Sequence, residues 1–234
     1  MKTLLIETAT QVCSVALADG RQTVQMRESA EPNAHSSHLV PFVQGMLEQQ
    51  GWTMSGLDAV CVSSGPGSYT GLRIGVSSAK GFCYGAGLKL LSVPTLLSMA
   101  NLYYRRHPEY KGVVCPMIDA RRMECYTMIV GRDESGVKVL RDTQADIITE
   151  GIYDEWLDRG EVTFVGDGAD KTRPVLGVHR NARFDADFAI SAEGMLDMAY
   201  EKYGSGNYED VAYFEPFYLK DFVAKKSVVH GLRS

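Results

Sequence analysis

The sequence predicts an α/β fold built twice over, and three observations predict it. The chain opens on three short apolar or alternating runs joined by tight turns. Strands and helices then alternate. After His107-Pro108 the same plan begins again. Each element is read from its hydrophobic period.

"TLLIE" is a short apolar run, "TATQ" a turn, and "VCSVALADG" alternates. Asp19-Gly20 turns the chain into "TVQMRE", which completes a three-strand meander. In "HSSHLVPFVQGMLEQQG", Leu39, Phe42, Val43, Met46 and Leu47 recur at helical spacing, and Gly51 can stop the helix. Pro41 suits a first turn, or kinks a helix that starts earlier. "LDAVCVSSG" reads as a buried strand. "GPGSYTGLRIGVSSAKG" then opens a helix at about Thr70, a reasonable N-cap residue. "LKLLSV" is a strand, and "PTLLSMANLYYRRH" a helix with Pro94 at its start.

In the second half "KGVVCPMID", "RMECYTMIVG" and "VKVLRDTQ" read as strands. A short helix near 152–157, the strand "VTFVG", the turn "DGADK" and a helix over about 191–203 follow. The halves share this order but not their residues. The tail "KDFVAKKSVVHGLRS" is locally basic without clear periodicity, and we expect it to be partly ordered or to pack late.

The 234 residues carry a net charge of −5, with 45% hydrophobic and 23% charged side chains. That is ordinary for a soluble domain, and it argues against a domain that grips nucleic acid alone. Cys13, Cys61, Cys83, Cys115 and Cys125 form no C-x-x-C and sit in apolar settings. They read as small core residues of a reducing compartment. No h-region of a signal peptide and no run of roughly 18 apolar residues is visible, so a cytoplasmic location is expected.

The glycine-rich stretch fails two tests. In a P-loop, lysine follows the second glycine; here Leu72 follows Gly71, and the glycines Gly65 and Gly71 are one residue too far apart. In a dinucleotide fingerprint a third glycine is needed where Thr70 stands. What remains is a stripe of Gly71, Gly75, Ser78, Phe82 and Gly85 along one helix face. A helical glycine costs about 1 kcal/mol relative to alanine, so several together imply a compensating close contact. That contact lies inside the protein's own core or against another subunit.

Other candidates are weaker. His35 and His38 lie three apart, not four, and read as surface or capping residues, so no metal is expected. Asp119, Arg121, Arg122 and Glu124 form a charged turn or one wall of an interdomain cleft. Gly166, Asp167 and Gly168 follow a strand and precede a helix, where they could meet a nucleotide phosphate or form a plain turn. Glu7 ends a strand and could act as a general base, but no partner is visible. We find no nucleophile–base set and predict no catalytic residue.

"LLIETATQVCSVAL", "HSSHLVPFVQGML", "SSGPGSYTGLRIGVSSAKG", "DARRMECY" and "GDGA", in this order over nearly the whole chain, closely resemble the TsaB (YeaZ) family. "PFYLKD" is similar to that family's C-terminal P-x-Y-L-R, with Lys220 where arginine is usual. The resemblance implies the actin/hexokinase/Hsp70-like (ASKHA) fold, two lobes of related topology. We place the lobes at 1–106 and 107–234, the last helix and tail being free to pack back on the first. It also implies an accessory, non-catalytic subunit for threonylcarbamoyl transfer to adenosine 37 of ANN-decoding tRNAs. The implied partners are the catalytic protein TsaD and, in the assembly, TsaE and ATP or ADP. No cofactor is implied for the isolated chain, no membrane is involved, and tRNA is met through TsaD. TsaD carries a metal-binding H-x-x-x-H, which this chain lacks. By the same resemblance the partner interface falls on Leu39, Phe42, Val43 and Met46 of one helix and Gly71, Arg73, Gly75, Ser78 and Phe82 of the next. A homodimer through that surface is an alternative when TsaD is absent. The competing reading is an actin-like-fold ATPase or small-molecule kinase, with Thr8, Thr10, Gly166, Asp167 and Gly168 on its phosphate loops. A peptidase finds no support in the residues.

Overall fold

The structure is a computed structural model that describes residues 1–134, 136–185 and 187–220. The first half forms β1 (Lys2–Glu7), β2 (Cys13–Asp19), β3 (Gln22–Ser29), α1 (Ala34–Gln50), β4 (Ala59–Ser63), α2 (Tyr69–Ala86), β5 (Lys89–Val93) and α3 (Thr95–Arg106). The second forms β6 (Val113–Asp119), β7 (Glu124–Asp133), β8 (Gly136–Ile147), α4 (Asp154–Leu157), β9 (Val162–Val165), α5 (Ala169–Leu176), β10 (Ala182–Asp185) and α6 (Leu196–Gly204).

The two sheets run β3-β2-β1-β4-β5 and β8-β7-β6-β9-β10. In both, the meander is antiparallel and the remaining strands are parallel. The topology is therefore duplicated, as the order of elements predicts. The central strands β1 and β4 are buried on both faces, which explains their unbroken apolar runs.

The lobes exchange helices. α1 and α2 cover one face of the first sheet, around Leu4, Ile6, Val60 and Val76. The opposite face is covered by residues of the second half, Ala192, Met195, Leu196 and Ala199, at and before α6. Conversely α3, from the first half, lays Leu96, Met99, Ala100 and Tyr104 against Val114, Met128 and Val130 of the second sheet. Asn101 Nδ2 of α3 donates to Gly194 O at 2.9 Å, and Arg105 pairs with Asp197 at 2.8 Å. These buried contacts lock the two halves together through a polar seam. The outer face of the second sheet is closed by Tyr153, Leu157, Ala169 and Leu176.

Several boundaries differ from the sequence expectation. α1 begins at Ala34, so Pro41 lies inside it. Ser68, not Thr70, caps α2: its Oγ accepts the Gly71 N–H at 3.2 Å. Residues read as the turn "DGADK" begin α5, which forms despite Pro174 because Ala169, Thr172 and Leu176 bury one face. β10 is unread in the sequence. It has three half-buried residues and an exposed Arg183, and exists by parallel pairing with β9. The tail from 221 onward lies outside the described residues.

α2 approaches β1 more closely than a side chain permits. A Cβ on Gly71 would run into Thr8 O, and one on Gly75 into Thr8 Oγ1. His35 of α1 lies on the other side of Gly71, 2.9 Å from where that Cβ would be. These two glycines face the protein's own core, so their expected role as contacts to another subunit is corrected. Gly81 and Gly85, further along α2, are exposed, with nothing within 4 Å of an added Cβ. The same substitution should therefore have opposite signs along one helix. Gly75→Ala is expected to destabilise the fold by about 2–3 kcal/mol through overpacking. Gly81→Ala should stabilise it by up to about 1 kcal/mol. Urea unfolding of both variants checks the pair, and equal effects would remove the packing argument.

Candidate functional site

Two surfaces hold the residues singled out in the sequence: the outward face of α1 and α2, and the cleft between the lobes. The buried face of α2 is carried by Leu72, Val76, Ala79 and Cys83. At 100° per residue, the stripe from Gly71 to Gly85 lies at the margin of that face. Its first turns are covered by β1 and α1, and its last are not. On α1, Leu39, Val43 and Met46 are 1%, 2% and 0% exposed and belong to the first lobe's core. They cannot be primary partner contacts, because the amphipathic stripe that marks them is the one that holds α1 on its own sheet. Phe42, Ser78 and Phe82 are half-buried, and Arg73 is exposed. Arg73 stacks on Tyr69, 4.2 Å from its ring centroid, and its Nε donates to Tyr218 Oη at 3.3 Å.

The outward strip of α2 consists of Ser77, Gly81, Tyr84 and Gly85, with Ser78 beside it. Tyr84 is 88% exposed and Val40 of α1 52%. Sequence reasoning missed Ser77, Gly81 and Tyr84, while Gly85 ends the stripe it did read. The signal was present: they form the neighbouring stripe, and only knowledge of which stripe faces β1 separates the two. Tyr84 thus stands exposed above a floor of Gly and Ser on α2.

The cleft has a volume of about 1140 Å³. Its first wall comes from Thr10, the segment 30–36 and the α2 N-terminus; its second from Ile118, Asp119, Arg121, Tyr126 and Asp167; residues 217–220 run along it. Of the five residues expected on phosphate loops, Thr10 and Asp167 line the cleft. Thr8 is buried beneath α2. Gly166 and Gly168 are taken up by packing on β6, where a side chain would strike Met117 O or the Ile118 backbone.

Four backbone donors of the two turns are spent within the chain. Ala9 N–H donates to Glu7 Oε1 at 2.7 Å, and Val12 N–H to Thr10 Oγ1 at 3.3 Å. Across the cleft, Asp119 N–H donates to Asp167 Oδ1 at 3.0 Å and Arg121 N–H to Asp119 Oδ1 at 2.8 Å. Lys171 pairs with Asp119 and donates to Glu124 O at 2.6 Å. Burial alone would raise the Asp119 carboxyl, but Lys171 and the Arg121 N–H outweigh it and hold the group below its ordinary value. A nucleotide polyphosphate entering here would meet the carboxylates of Glu31, Asp119 and Asp167.

A thiol nucleophile is equally ill-served. All five cysteines are buried, and burial pushes the thiols of Cys13, Cys83 and Cys125 up to about 11. Arg121 and Arg122 hold positive φ of 74° and 51° at the tip of the β6–β7 turn.

Glu7 is fully buried at the end of β1. Its Oε1 accepts from Ala9 N–H and from Ser63 Oγ at 2.8 Å; Oε2 has no partner. Burial raises its pKa from 4.5 to about 7, against the lowering effect of these hydrogen bonds. A folded-state value above the unfolded one favours the protonated fold. Its contribution is complete below about pH 4.5 and is lost as pH rises through 7, on the order of 3 kcal/mol in all. Asp119, Asp146 and Asp197 are held low and titrate beneath this window. Glu7→Gln should therefore lose less stability than the parent between pH 5 and 8, and be the more stable of the two at pH 8. Parallel pH slopes in urea unfolding would show that Glu7 ionises normally.

The family model of TsaD, tRNA N6-adenosine threonylcarbamoyltransferase, matches residues 28–204. The tRNA threonylcarbamoyladenosine biosynthesis protein TsaB of Escherichia coli K12 is 34% identical over 232 residues, 97% of this chain and 98% of that one. YeaZ from Pseudomonas aeruginosa superposes with a TM-score of 0.81 at 25% identity, covering 93% of this chain and 99% of its own. The (R)-2-hydroxyglutaryl-CoA dehydratase component A of Acidaminococcus fermentans, at TM-score 0.50 and 10% identity over 88% of this chain and 99% of its own, shares the fold alone. The two lobes thus have the actin-like architecture, and the chain belongs to the TsaB (YeaZ) family.

Proposed function

We propose that this chain is the non-catalytic partner of TsaD in threonylcarbamoyl transfer to adenosine 37 of tRNA. It docks TsaD through the outward face of α1 and α2 and supports its activity. The observation that carries the reading is membership of a family whose relatives are named for this pathway. The exposed Tyr84, with Gly81 and Gly85 on the same strip of α2, and the exposed Val40 of α1 supply the surface. A close helix–helix approach needs such a small-residue floor, and a stable complex needs about 800 Å² from each side. In the absence of TsaD the same face serves a second copy of this chain.

TsaE and the tRNA join the assembly through TsaD on this reading. ATP or ADP is held elsewhere in the complex, because the cleft of this chain is lined by carboxylates. The same carboxylates weigh against an independent ATPase or kinase. The active role then falls to the exposed strip rather than to Leu39, Val43, Met46, Gly71 or Gly75.

Gly81→Arg is the decisive substitution. It adds bulk where the monomer has open space, so its thermal unfolding should match the parent. It should no longer co-elute with TsaD, and tRNA modification in a reconstituted mixture should fall at least tenfold. Tyr84→Ala should weaken association by about 2 kcal/mol, roughly thirtyfold. Co-elution and activity that survive both changes would move the interface off this face.

A further inference from the structure

Two cations of the α2 sequence "GLRIGVSSAKG", Arg73 and Lys80, do not line the cleft. They hold the chain's own last described segment. After α6, Glu209 pairs with the β5 edge: its N–H donates to Leu90 O at 2.8 Å, and its Oε1 accepts from Ser92 Oγ at 2.6 Å. The segment then turns along α2. Lys80 Nζ donates to both Ala212 O and Phe214 O at 3.0 Å. Val211 and Phe214 pack on the first lobe's core. Phe217 N–H donates to Ser64 O at 2.7 Å, and the Phe217 carbonyl lies where a side chain on Gly65 would stand. Tyr218 stacks on Tyr69 with centroids 5.0 Å apart and receives Arg73. Lys220 then crosses to the second lobe and pairs with Glu124. Glu124 lies at the β6–β7 turn, whose Asp119 and Arg121 form the far wall of the cleft.

We infer that residues 209–220 are an interlobe tether, clamped to α2 by Lys80 and Arg73 and anchored to the second lobe by Lys220, that fixes the width of the cleft. Three features support a tether over a passive cover. Four of its six hydrogen bonds to the first lobe use the segment's own main-chain groups, at Glu209, Ala212, Phe214 and Phe217, so they hold the path of its backbone. Its path follows the side of α2 away from α1, so it frames the outward strip of α2. Its end bridges the lobes on the cleft side, whereas the exchanged helices α3 and α6 join them at the back. A hinge closed on one side only can open on the other, and the tether closes that other side.

The inference concerns the chain alone and stands or falls without TsaD. Spin labels on Ser36→Cys and Arg122→Cys, both exposed and on opposite walls, report the cleft width by pulsed dipolar spectroscopy. The native cysteines are buried and do not compete for label. The tethered protein should give one narrow distance. Lys80→Met combined with Lys220→Gln should broaden the distribution at least twofold or shift it to longer distance, and raise amide exchange at Phe217 at least tenfold. Lys138→Met, exposed on β8, serves as a control and should change neither. Should the Lys80 change impair folding, Arg73→Gln with Lys220→Gln, both at exposed positions, repeats the test. An unchanged distance distribution in variants that keep the parent's melting temperature overturns the tether, whether or not the segment itself exchanges faster.

Discussion

The close approach of α2 to the end of β1 is the constraint from which the other features follow. Gly71 and Gly75 let the helix rest on Thr8 with no side chain between them. That contact fixes the rotation of α2 about its axis. Leu72, Val76, Ala79 and Cys83 are then turned into the core, and Ser77, Gly81 and Tyr84 are turned out. It also sets α1, through His35, on one side and leaves Lys80 and Arg73 on the other. A single methyl group at position 75 would lift the helix and disturb all three relations. Glycine here is a positional requirement, which offsets its poor helix propensity.

Most of the fold is legible in the sequence because its strands are either fully buried or cleanly alternating. The meanders show as period-two runs, β4 and β5 as short apolar runs, and the duplicated order follows from counting them. What was not legible depends on tertiary contact. β10 is too short and too polar to announce itself, and it forms only because β9 offers a free edge. α5 hides in turn-like residues and a proline, and is stabilised by the face it buries. The partner surface shows the limit most clearly. Periodicity identifies stripes on α1 and α2, but a stripe of apolar or small residues reads alike whether it meets a sheet or another protein. Leu39 and Val43 proved to be the former.

The same duplication explains why the cleft looks like a ligand site. Each lobe begins with a strand, a turn and an antiparallel return, so two turns face each other across about 1140 Å³. In each, a carboxylate next to the turn takes its backbone donors: Glu7 takes Ala9 N–H, and Asp119 takes Arg121 N–H. An acceptor supplied by the protein replaces the acceptor a phosphate would have been. Such a turn has one of its backbone donors satisfied without ligand. The sequence marks Glu7 as a strand-end carboxylate and Asp119 as part of a charged turn, but not that each accepts from its own turn, which is why the turns could be read there as phosphate loops.

The chain can hold this cleft shut. The exchanged helices already join the lobes at the back through Asn101, Arg105 and Asp197. A strap across the front completes a closed ring of contacts around the cleft. In a catalytic member of an actin-like fold, lobe motion admits and releases substrate, and a fastening of this kind would oppose turnover. For a protein that acts by presenting a surface the requirement is reversed. An interface gains affinity when the elements that build it are already ordered before contact. α2 is held by β1 from beneath, by α1 on one flank and by the strap on the other, so its outward strip is already ordered, as the proposed docking requires. Rigidity around the cleft and readiness of the helix face are then two effects of one set of contacts.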